Sequence, residues 1–428
     1  MLEDRESGMG ILKKMLVLGI ESSCDETAAS LVRDGRYIVS NVVASQIEIH
    51  NQYGGVVPEV ASRHQISAVI PVIETALAQA HCSWDEIDAI AATYGPGLAG
   101  SLLVGLTTGK ALSLARNLPF LGVNHLEAHL YANWLHASTL VSEPALGPIT
   151  LAASAGSAAV SATALAPSSD WRFHEGDPLF PLIALVVSGA HSELVLVRDH
   201  GDYQLLGRTR DDAAGEALDK VARVMGLGYP GGPAIQKMAR LAEEAYSAQK
   251  LPLKKARSAY RLPRAWLHGT YDFSFSGLKT AMLHLAEGAT DQTHVQHDDN
   301  HKTQYTRYTR MGEQAAQDGA GVPDVALLAA GFQEAIVDVL SVKTRKAAQE
   351  YRVKQVILAG GVAANLRLRE RLQQELRPLG VRLNYPPIDF CTDNAAMIAS
   401  AAFFHLSLGE HHGYDLDVQP GLSLPFTH

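Results

Sequence analysis

The sequence predicts an α/β protein of two similar lobes, and three observations carry this prediction. Strand and helix patterns alternate along the chain, which is typical of sheets covered by crossover helices. An apolar strand, a polar turn and a second apolar strand occur twice, at 15–33 and at 182–198. The copies end in related strings, Val32–Gly35 and Val197–Gly201. An internal duplication explains the repeat, although chance similarity between two short hairpins would give the same pattern.

Composition limits the possible classes of protein. The 428-residue chain is 47% hydrophobic and 19% charged, an ordinary balance for a globular protein. Cys24, Cys82 and Cys391 lie far apart, so no disulfide framework or CxxC pair is predicted, and a cytoplasmic location is expected. The net charge is −9, so any RNA contact requires a local basic patch or a partner. No apolar stretch reaches the length of a membrane span, and we expect no membrane contact.

The expected organisation has five parts. An N-terminal extension covers 1–14, and a first lobe covers 15–136. An insertion rich in Ala, Ser and Pro covers 137–178, and a second lobe covers 179–406 with a polar insertion at 288–321. A C-terminal tail covers 407–428. Expected strands lie at 15–20, 27–33, 87–93, 120–123, 182–187, 193–198 and 355–359, and expected helices at 63–80, 99–116, 125–136 and 324–351.

The helix expected at 125–136 has Asn124 as its N-cap and contains a histidine pair, His125 and His129. Residues four apart share one helix face, so the two imidazoles are close enough to bind one metal ion. Two histidines that only pack the start of a helix are the simpler alternative. Glu127 lies two residues from each histidine and points to the opposite side of the helix. It cannot act as the base of a metallopeptidase, whose Glu directly follows the first histidine.

A third metal ligand must come from elsewhere in the chain. Asp393 is a candidate because it opens a predicted helix at an end that meets the sheet, although a carboxylate there can also be a plain N-cap. Three glycine turns, at 95–97, 188–189 and 360–361, follow predicted strands and suit an anion or nucleotide in a cleft between the lobes. Any one of them alone is as well explained by tight packing.

Two further regions contain candidate binding residues. Asp219 is placed to hold ribose hydroxyls, and Gly232 in the turn that follows would allow close backbone approach, although a solvated acidic helix face is the alternative. A basic stretch with interleaved aromatic residues suits RNA, although a solvated charged helix is equally compatible with it. Its candidate RNA contacts are Lys254, Lys255, Arg257, Arg261 and Arg264.

Nine strings, in order along 15–406, together resemble the tRNA N6-adenosine threonylcarbamoyltransferase family. They are Gly19–Thr27, Gly54–Glu59, Gly95–Leu98, Asn124–His129, Asp212–Glu216, Tyr229–Gly232, Phe275–Lys279, Gly360–Asn365 and Cys391–Asn394. The resemblance implies the actin/Hsp70/sugar-kinase (ASKHA) fold, with duplicated lobes and a ligand in the cleft between them. It also implies transfer of a threonylcarbamoyl group from threonylcarbamoyl-AMP to N6 of the adenosine 3′ to the anticodon in tRNAs that read ANN codons.

The resemblance further implies a set of site residues and partners. The metal ligands would be His125, His129 and Asp393, holding one divalent ion per subunit, Fe²⁺ in preference to Zn²⁺. A nucleotide, either threonylcarbamoyl-AMP or ATP/ADP, would be held by Val186, Val187, Ser188, Gly189, Ala190, Asp219, Gly232 and Asn365. The partners would be tRNA, a TsaB-like paralogue and a TsaE-like ATPase. No covalent protein nucleophile is expected.

One departure from the family pattern and three alternatives complete the sequence interpretation. Ala190 replaces a glycine of the family's Ser-Gly-Gly-His-Thr turn, which adds a methyl group where glycine would permit positive φ. The alternatives are a small-molecule kinase of the same superfamily, a metallopeptidase, and a non-catalytic paralogue. The histidine pair is not needed by the kinase and is not expected in the paralogue, and the position of Glu127 disfavours the peptidase.

Overall fold

The structure is a computed structural model that describes residues 15–137, 149–151, 160–164, 177–260, 262–287 and 324–427. Within these residues, two β-sheets and their covering helices form two lobes. The predicted N-terminal extension and the polar insertion at 288–321 lie outside the described residues.

The first sheet begins with an antiparallel meander followed by two parallel strands. In spatial order it runs β5-β4-β1-β2-β3, with β4 parallel to β1 and β5 parallel to β4. The strands are β1 (Leu16–Glu21), β2 (Glu26–Arg33), β3 (Tyr37–Ser45), β4 (Ala89–Gly95) and β5 (Phe120–Asn124). The helices are α1 (Ile47–Asn51), α2 (Pro58–Gln79) and α3 (Ala99–Arg116), and α2 and α3 pack side by side.

The segment at 137–178 adds strands to the edge of the first sheet. β6 (His136–Ala137) runs parallel to β3. Two short strands, β7 (Ile149–Leu151) and β8 (Val160–Ala164), form an antiparallel pair, and β8 pairs with β3. This insertion therefore extends the sheet at the end away from β5.

The second sheet repeats the order of the first. It runs β11-β10-β9-β12-β13, again with an antiparallel meander followed by two parallel strands. The strands are β9 (Leu182–Val187), β10 (Ser192–Asp199), β11 (Asp202–Arg208), β12 (Gln355–Ala359) and β13 (Arg382–Asn384). The helices are α5 (Ala214–Val224), α6 (Gly231–Ala248), α7 (Leu253–Arg257), α8 (Ser276–Glu287), α9 (Asp324–Glu350) and α10 (Leu366–Leu376). The predicted duplication and the two-lobed α/β class are confirmed.

Two helices lie between the sheets. These are α4 (His125–Tyr131) and α11 (Ala395–Ser407). Their apolar side chains, with the inward-facing residues of both sheets, form one core that includes Val123, Leu126, Val186 and Met397. Although α11 falls within 179–406, it packs on β1 and β2 of the first sheet.

The predicted helix at 125–136 was too long. The α-helix ends at Tyr131, a 3₁₀ turn covers Ala132–Trp134, and His136 begins β6. Asn133 explains the change of direction, because its amide donates to the carbonyls of Leu130 and Leu358 at 3.2 and 2.9 Å. The contact with Leu358 in β12 comes from a distant part of the chain, so the local helix pattern could not reveal it.

One helix in the described part of the chain, Val325–Glu350, is long and apolar enough by length and composition to cross a membrane. In this window 72% of the residues are buried inside the protein. The helix packs against α6 and α10, and Phe332, Ile336 and Leu340 belong to the core of the second lobe. Its apolar character is that of a core helix.

Gly360 follows β12 and adopts a φ of +85°. A Cβ atom there would lie 2.5 Å from the carbonyl oxygen of Val187. We expect Gly360→Ala to lower the free energy of unfolding by at least about 2 kcal/mol, from backbone strain and this contact. Urea unfolding measures the change. Gly361→Ala is the matched control, because its added methyl group would meet no atom within 4 Å, and equal stability of the two variants would contradict the argument.

Candidate metal and nucleotide site

The histidine pair begins the short helix α4. Asn124 is the N-cap, and its side-chain oxygen accepts from the backbone N–H groups of Leu126 and Glu127 at 2.9 and 3.2 Å, as the sequence predicts. The rings of His125 and His129 lie on one face, with their centroids 4.7 Å apart. Capping therefore fixes the start of the helix at the residue that places both imidazoles together.

Asp393 completes a three-residue centre. Its Oδ1 lies 3.5 Å from His125 Nε2 and 3.2 Å from His129 Nε2. It is not the N-cap of α11, because Asn394 fills that role by accepting from the Met397 N–H. The carboxylate is therefore directed at the histidines rather than at the helix end.

The spacing of these three side chains fits a metal ion. One ligand atom from each residue lies within 4.8 Å of the others. Donor atoms that bind one ion at about 2.0–2.2 Å stand roughly 3.0–3.6 Å from each other, which matches the two distances from Asp393. His129 Nδ1 is buried, and within the described part of the chain it has no hydrogen-bond partner, so the polar contact of this ring there is made through Nε2.

Glu21 orients the first histidine. Its Oε2 lies 3.1 Å from His125 Nδ1 and accepts from Thr93 Oγ1 at 2.6 Å. A carboxylate only accepts, so Nδ1 carries the proton and Nε2 faces Asp393, a common arrangement around metal-binding histidines. Glu21 did not emerge from the sequence as a site residue. Its position at the carboxyl end of β1 could have indicated a site residue, since the parallel strands β1, β4 and β5 end at the same sheet edge.

Three ionisable groups in and beside the centre have shifted pKa values. Burial lowers the pKa of His125, but Asp393 and Glu21 outweigh this and raise it to about 9. Burial raises the pKa of Asp393, but the two histidines bring it down to about 2. Burial and the same two histidines lower the pKa of His191 to about 4. Asp393 is therefore a carboxylate at neutral pH, and His191 faces the centre as a neutral imidazole.

Glu127 lies on the opposite side of α4 from the histidines, as predicted. It is buried, and its Oε1 accepts from Tyr203 Oη at 2.7 Å and lies 2.9 Å from His405 Nε2. Tyr203 belongs to β11 and His405 to α11, so this carboxylate joins α4 to both of its neighbours. It has no access to a metal-bound water.

The turn between β9 and β10 lies beside the centre. Ser188 Oγ accepts from the N–H groups of Ala190 and His191 at 3.3 and 3.1 Å. Ala190 is not among the residues with positive φ, so its methyl group costs no backbone strain. Gly189 and Ala190 are exposed, whereas the side chains of Val186 and Val187 are buried in the cores. The two valines can offer a ligand only main-chain atoms.

The three remaining candidate nucleotide-binding residues differ in how far they can contact a ligand. Asp219 Oδ1 accepts from the Gly231 N–H at 2.7 Å, and burial raises the pKa of this carboxyl. Gly232 has open space where a Cβ would be, apart from Leu218 at 3.9 Å. Asn365 caps α10 through Leu368 N and donates to Gln333 at 2.9 Å. One N–H of its amide and one lone pair of its amide oxygen are therefore used within the protein.

The basic stretch is only partly available to a ligand. Lys254 and Lys255 lie exposed on α7. Arg257 is mostly buried and pairs with Glu243, and Arg264 pairs with Asp338 at 2.9 Å. Arg261 lies outside the described residues. The sequence could not reveal the two ion pairs, because the acidic partners come from α6 and α9.

The cysteines are poor candidates for chemistry. Cys24, Cys82 and Cys391 are free thiols. Burial raises the pKa of Cys24 far above its ordinary range and that of Cys391 to about 11. The reactive form of cysteine is the thiolate, so neither of these two side chains is an activated nucleophile at neutral pH.

The pH dependence of stability follows from His405. Burial lowers its pKa, but Glu127 and Glu410 raise it from 6.5 to about 9. A raised pKa in the folded state gives stability that is complete below the unfolded pKa and is lost as the pH rises through the folded value. Between about pH 6.5 and about pH 9.5, we expect the wild type to lose on the order of 2 kcal/mol more than His405→Gln. Urea unfolding at both values measures this, and parallel pH profiles would contradict it.

Comparison with known proteins gives a consistent result. The family model described as "TsaD: tRNA N6-adenosine threonylcarbamoyltransferase" matches residues 37–168 and 161–400. A protein of that name from Thermomicrobium roseum is 48% identical over 415 residues, covering 96% of this chain and 97% of the relative. Another from Bacillus subtilis is 44% identical over 414 residues, covering 96% of each.

Similarity to solved structures is weaker. HypF of T. kodakarensis is 13% identical and covers 92% of this chain and 48% of its own, with a TM-score of 0.41. A ROK family glucokinase from Streptomyces griseus, solved with glucose and AMPPNP, is 12% identical. It covers 91% of this chain and 98% of its own, with a TM-score of 0.37. These values are too low to bear on the activity of this chain.

Proposed function

The chain belongs to the tRNA N6-adenosine threonylcarbamoyltransferase family, and on this basis we propose that the centre formed by His125, His129 and Asp393 is where the group is transferred. The activity is transfer of a threonylcarbamoyl group to N6 of an adenosine in tRNA. The donor is threonylcarbamoyl-AMP, and the acceptor is the adenosine 3′ to the anticodon in tRNAs that read ANN codons. The convergence of three metal ligands beside an exposed turn carries the proposal.

The reaction sets the demands on the site. N6 of the adenosine attacks the carbamoyl carbon, the bond to the phosphate oxygen breaks, AMP leaves with that electron pair, and one N6 proton is released. An exocyclic adenine amine is a weak nucleophile, so orientation of the two substrates and activation of the carbonyl carry most of the catalysis. The raised pKa values of Cys24 and Cys391 support a direct transfer without a covalent protein intermediate.

The chemistry of the ligand set supports one divalent metal per subunit. Two imidazoles and one carboxylate, with positions left open, suit Fe²⁺ in particular, and we therefore favour Fe²⁺ over Zn²⁺. When bound, the metal supplies a Lewis acid for the donor carbonyl or the threonyl group. Glu21 keeps the His125 ring in the tautomer that presents Nε2, and Glu127 holds the helix that carries both histidines.

The donor nucleotide lies in the cleft between the lobes in this proposal. The exposed Gly189–Ala190 turn faces the phosphate, with main-chain atoms of Val186, Val187 and Ser188 behind it. The second oxygen of Asp219 holds the ribose, and the open backbone at Gly232 lets the ligand approach. Because the Asn365 amide is engaged with Gln333 and Leu368, its part in binding is to shape the turn after β12. ATP and ADP share the adenylate group and are expected to occupy the same cleft.

The alternative activities are less compatible with the site. Glu127 is hydrogen bonded on the far side of α4, away from any metal-bound water, so a metallopeptidase lacks its base. A small-molecule kinase has no use for the three converging metal ligands. The family to which the chain belongs favours neither alternative.

Partner proteins are expected to contribute to function. Helices α2 and α3 expose large apolar side chains, among them Ile66 at 66%, Ile70 at 46% and Leu103 at 51%. Such a surface suits a protein partner, and we assign it to a TsaB-like paralogue, with a TsaE-like ATPase as a further partner. The free thiols support a cytoplasmic complex.

Fewer basic residues on and after α7 are available for tRNA contact than the sequence suggested. Lys254 and Lys255 are exposed and suit phosphate contacts. Arg257 and Arg264 are held in ion pairs within the second lobe, and their role in this proposal is to fix the elements that carry the lysines. With a net charge of −9 the chain depends on partners for part of the tRNA affinity.

The metal centre gives a direct test of the proposed function. We expect His125→Ala and Asp393→Ala to lose bound metal and to lower transfer at least about 100-fold, because each removes one ligand. Metal analysis and nucleoside analysis of tRNA, with partners and donor supplied, measure the two effects. His411→Ala, an exposed histidine near the C-terminus, is the control. Wild-type transfer by a metal-free variant would contradict the proposal.

The apolar face of α2 and α3 gives a second test. We expect Ile66→Glu with Leu103→Glu to raise the Kd for the paralogue at least about tenfold, since each buried large aliphatic side chain contributes about 1.5–3 kcal/mol. Metal content should not change. Leu241→Glu, at an exposed apolar position on α6 of the second lobe, is the matched control. An unchanged Kd, or an equal effect of the control, would show that this face is not the interface.

A further inference from the structure

A cavity of about 680 Å³ lies next to the metal centre. One side is formed by Leu126 of α4 with Ala190 and His191 of the turn after β9. Another side is formed by the C-terminal segment Gly421–Ser423. The remaining walls come from the start of β10, from the end of β11 and the residues after it, and from the segment before α8. They include Glu193, Arg208, Thr209, Arg210 and Asp272. The volume is within the range of sites that hold a nucleoside or a small ligand.

The cavity shares Ala190 with the proposed donor turn, has an otherwise different lining and borders the same centre. Its lining includes none of Ser188, Asp219, Gly232 and Asn365. Leu126 directly follows the ligand His125, and His191 is close enough to both metal-site histidines for them to lower its pKa. A ligand in the cavity would therefore lie beside the centre and adjoin the proposed donor site at Ala190.

Glu193 is the unusual residue of this cavity. It is only 6% exposed, and its Oε2 is buried with no hydrogen-bond partner among the residues that the structure describes. Arg208 lies directly opposite on β11, and its positive charge lowers the pKa of the Glu193 carboxyl. Burial outweighs this effect and raises the pKa. A buried polar atom without a partner is costly, so this carboxyl has an unfilled capacity that a bound ligand can satisfy.

We propose that this cavity receives the target adenosine of the tRNA and that Glu193 hydrogen bonds to the edge of its adenine. The inference rests on the proposed function and assigns the acceptor side of the same centre. Since the base must leave its stack to reach a buried centre, a pocket for a flipped base is what the reaction requires.

Adenine and this carboxyl are complementary. The N6 amine of adenine is a donor, and the adjacent ring nitrogens N1 and N7 are acceptors. Burial raises the pKa of this carboxyl and so favours its protonated form, which offers one O–H donor and one carbonyl acceptor and can form both hydrogen bonds at once. On its Hoogsteen edge guanine presents two acceptors, O6 and N7, so there it would leave the carboxyl acceptor without a donor. Glu193 in this role positions N6 toward the metal centre, and it favours adenine when the contact is made through the N6 and N7 edge.

The mouth of the cavity suits the tRNA backbone. Arg208 and Arg210 are exposed, and phosphate contacts usually come from such side chains. Arg210 Nη2 lies 2.8 Å from Asp272 Oδ2, and Asp272 Oδ1 accepts from the Arg208 N–H at 3.1 Å. Asp272 therefore fixes this short segment at the rim and holds Arg210 in an ion pair, so the phosphate contact beside the flipped base falls to Arg208.

The test uses the full enzyme with its partners and an anticodon stem-loop RNA at saturating donor. We expect Glu193→Ala to lower kcat/KM for the stem-loop at least about tenfold. Glu193→Gln supplies both a donor and an acceptor and should recover most of the activity, which a merely structural loss would not predict. Metal content and the Kd for ADP should match the wild type in both variants. Glu244→Gln, at an exposed position on α6, is the control.

Base analogues identify the contact directly. Stem-loops with 1-deazaadenosine or 7-deazaadenosine at the target position each lack one ring acceptor. We expect one of them to bind the wild type more weakly than adenosine does, and this difference to vanish in Glu193→Ala. Unchanged kinetics and analogue discrimination in Glu193→Ala would overturn the inference, as would a selective loss of ADP binding, which would assign the cavity to the donor.

Stem-loop binding is also measured without donor, which separates the two proposals. If the wild type binds the stem-loop but transfers nothing, the proposed function fails, and the analogue pattern in binding still decides the role of Glu193. If the wild type transfers normally and Glu193→Ala does so too, the function stands and the acceptor assignment fails.

Discussion

The arrangement of the centre depends on the position of α4 between the two sheets. The hydrogen bonds of the Glu127 carboxylate fix this position. The carboxylate is buried and accepts from Tyr203 of the second sheet, while His405 of α11 lies at hydrogen-bonding distance. Removing one partner from a buried, charged hydrogen-bond network usually costs several kcal/mol. Since His125 and His129 lie on the opposite face of the same helix, any rotation of α4 would separate them from Asp393. Glu127, whose position disfavours a metallopeptidase, therefore also keeps His125 and His129 directed at Asp393.

The metal centre is assembled from distant parts of the chain that meet at one sheet edge. Glu21, Thr93 and His125 follow or end the parallel strands β1, β4 and β5. Asp393 arrives from the far end of the chain, because α11 packs on the first sheet rather than on the second. The turn after β9 then brings the second lobe to the same point. The three residues of the centre, the turn after β9 and the cavity at Glu193 therefore lie close together, as the proposed transfer of a group between two large substrates requires.

The sequence predicted the parts of the fold that have local signals. The duplicated hairpins and the Asn124 cap have short-range patterns, and both are confirmed. The spacing of His125 and His129 places the two rings on one helix face, as observed, and their binding of a metal stays a prediction. The role of Asp393 needed the family resemblance, because an acidic residue before a helix usually caps it, and here the neighbouring Asn394 does so. The ion pairs of Arg257 and Arg264 could not be predicted, because their partners lie on other helices. Glu193 gave no signal either, since a polar residue in a strand is ordinarily solvated. The C-terminal segment looked like a tail, yet Gln419 donates to the Tyr94 carbonyl at 2.7 Å, and the Ser423 carbonyl accepts from Asn124.

The central claim is that two imidazoles and one carboxylate hold a metal where donor and acceptor meet. X-ray absorption spectroscopy of the metal-loaded enzyme tests it most directly, because it reports the identity and distance of the ligand atoms. The account predicts two imidazole nitrogens and oxygen donors at about 2.0–2.2 Å, with no sulfur. It also predicts that an unreactive analogue of threonylcarbamoyl-AMP changes only the oxygen donors. A sulfur ligand at about 2.3 Å, or a single imidazole, would contradict the account.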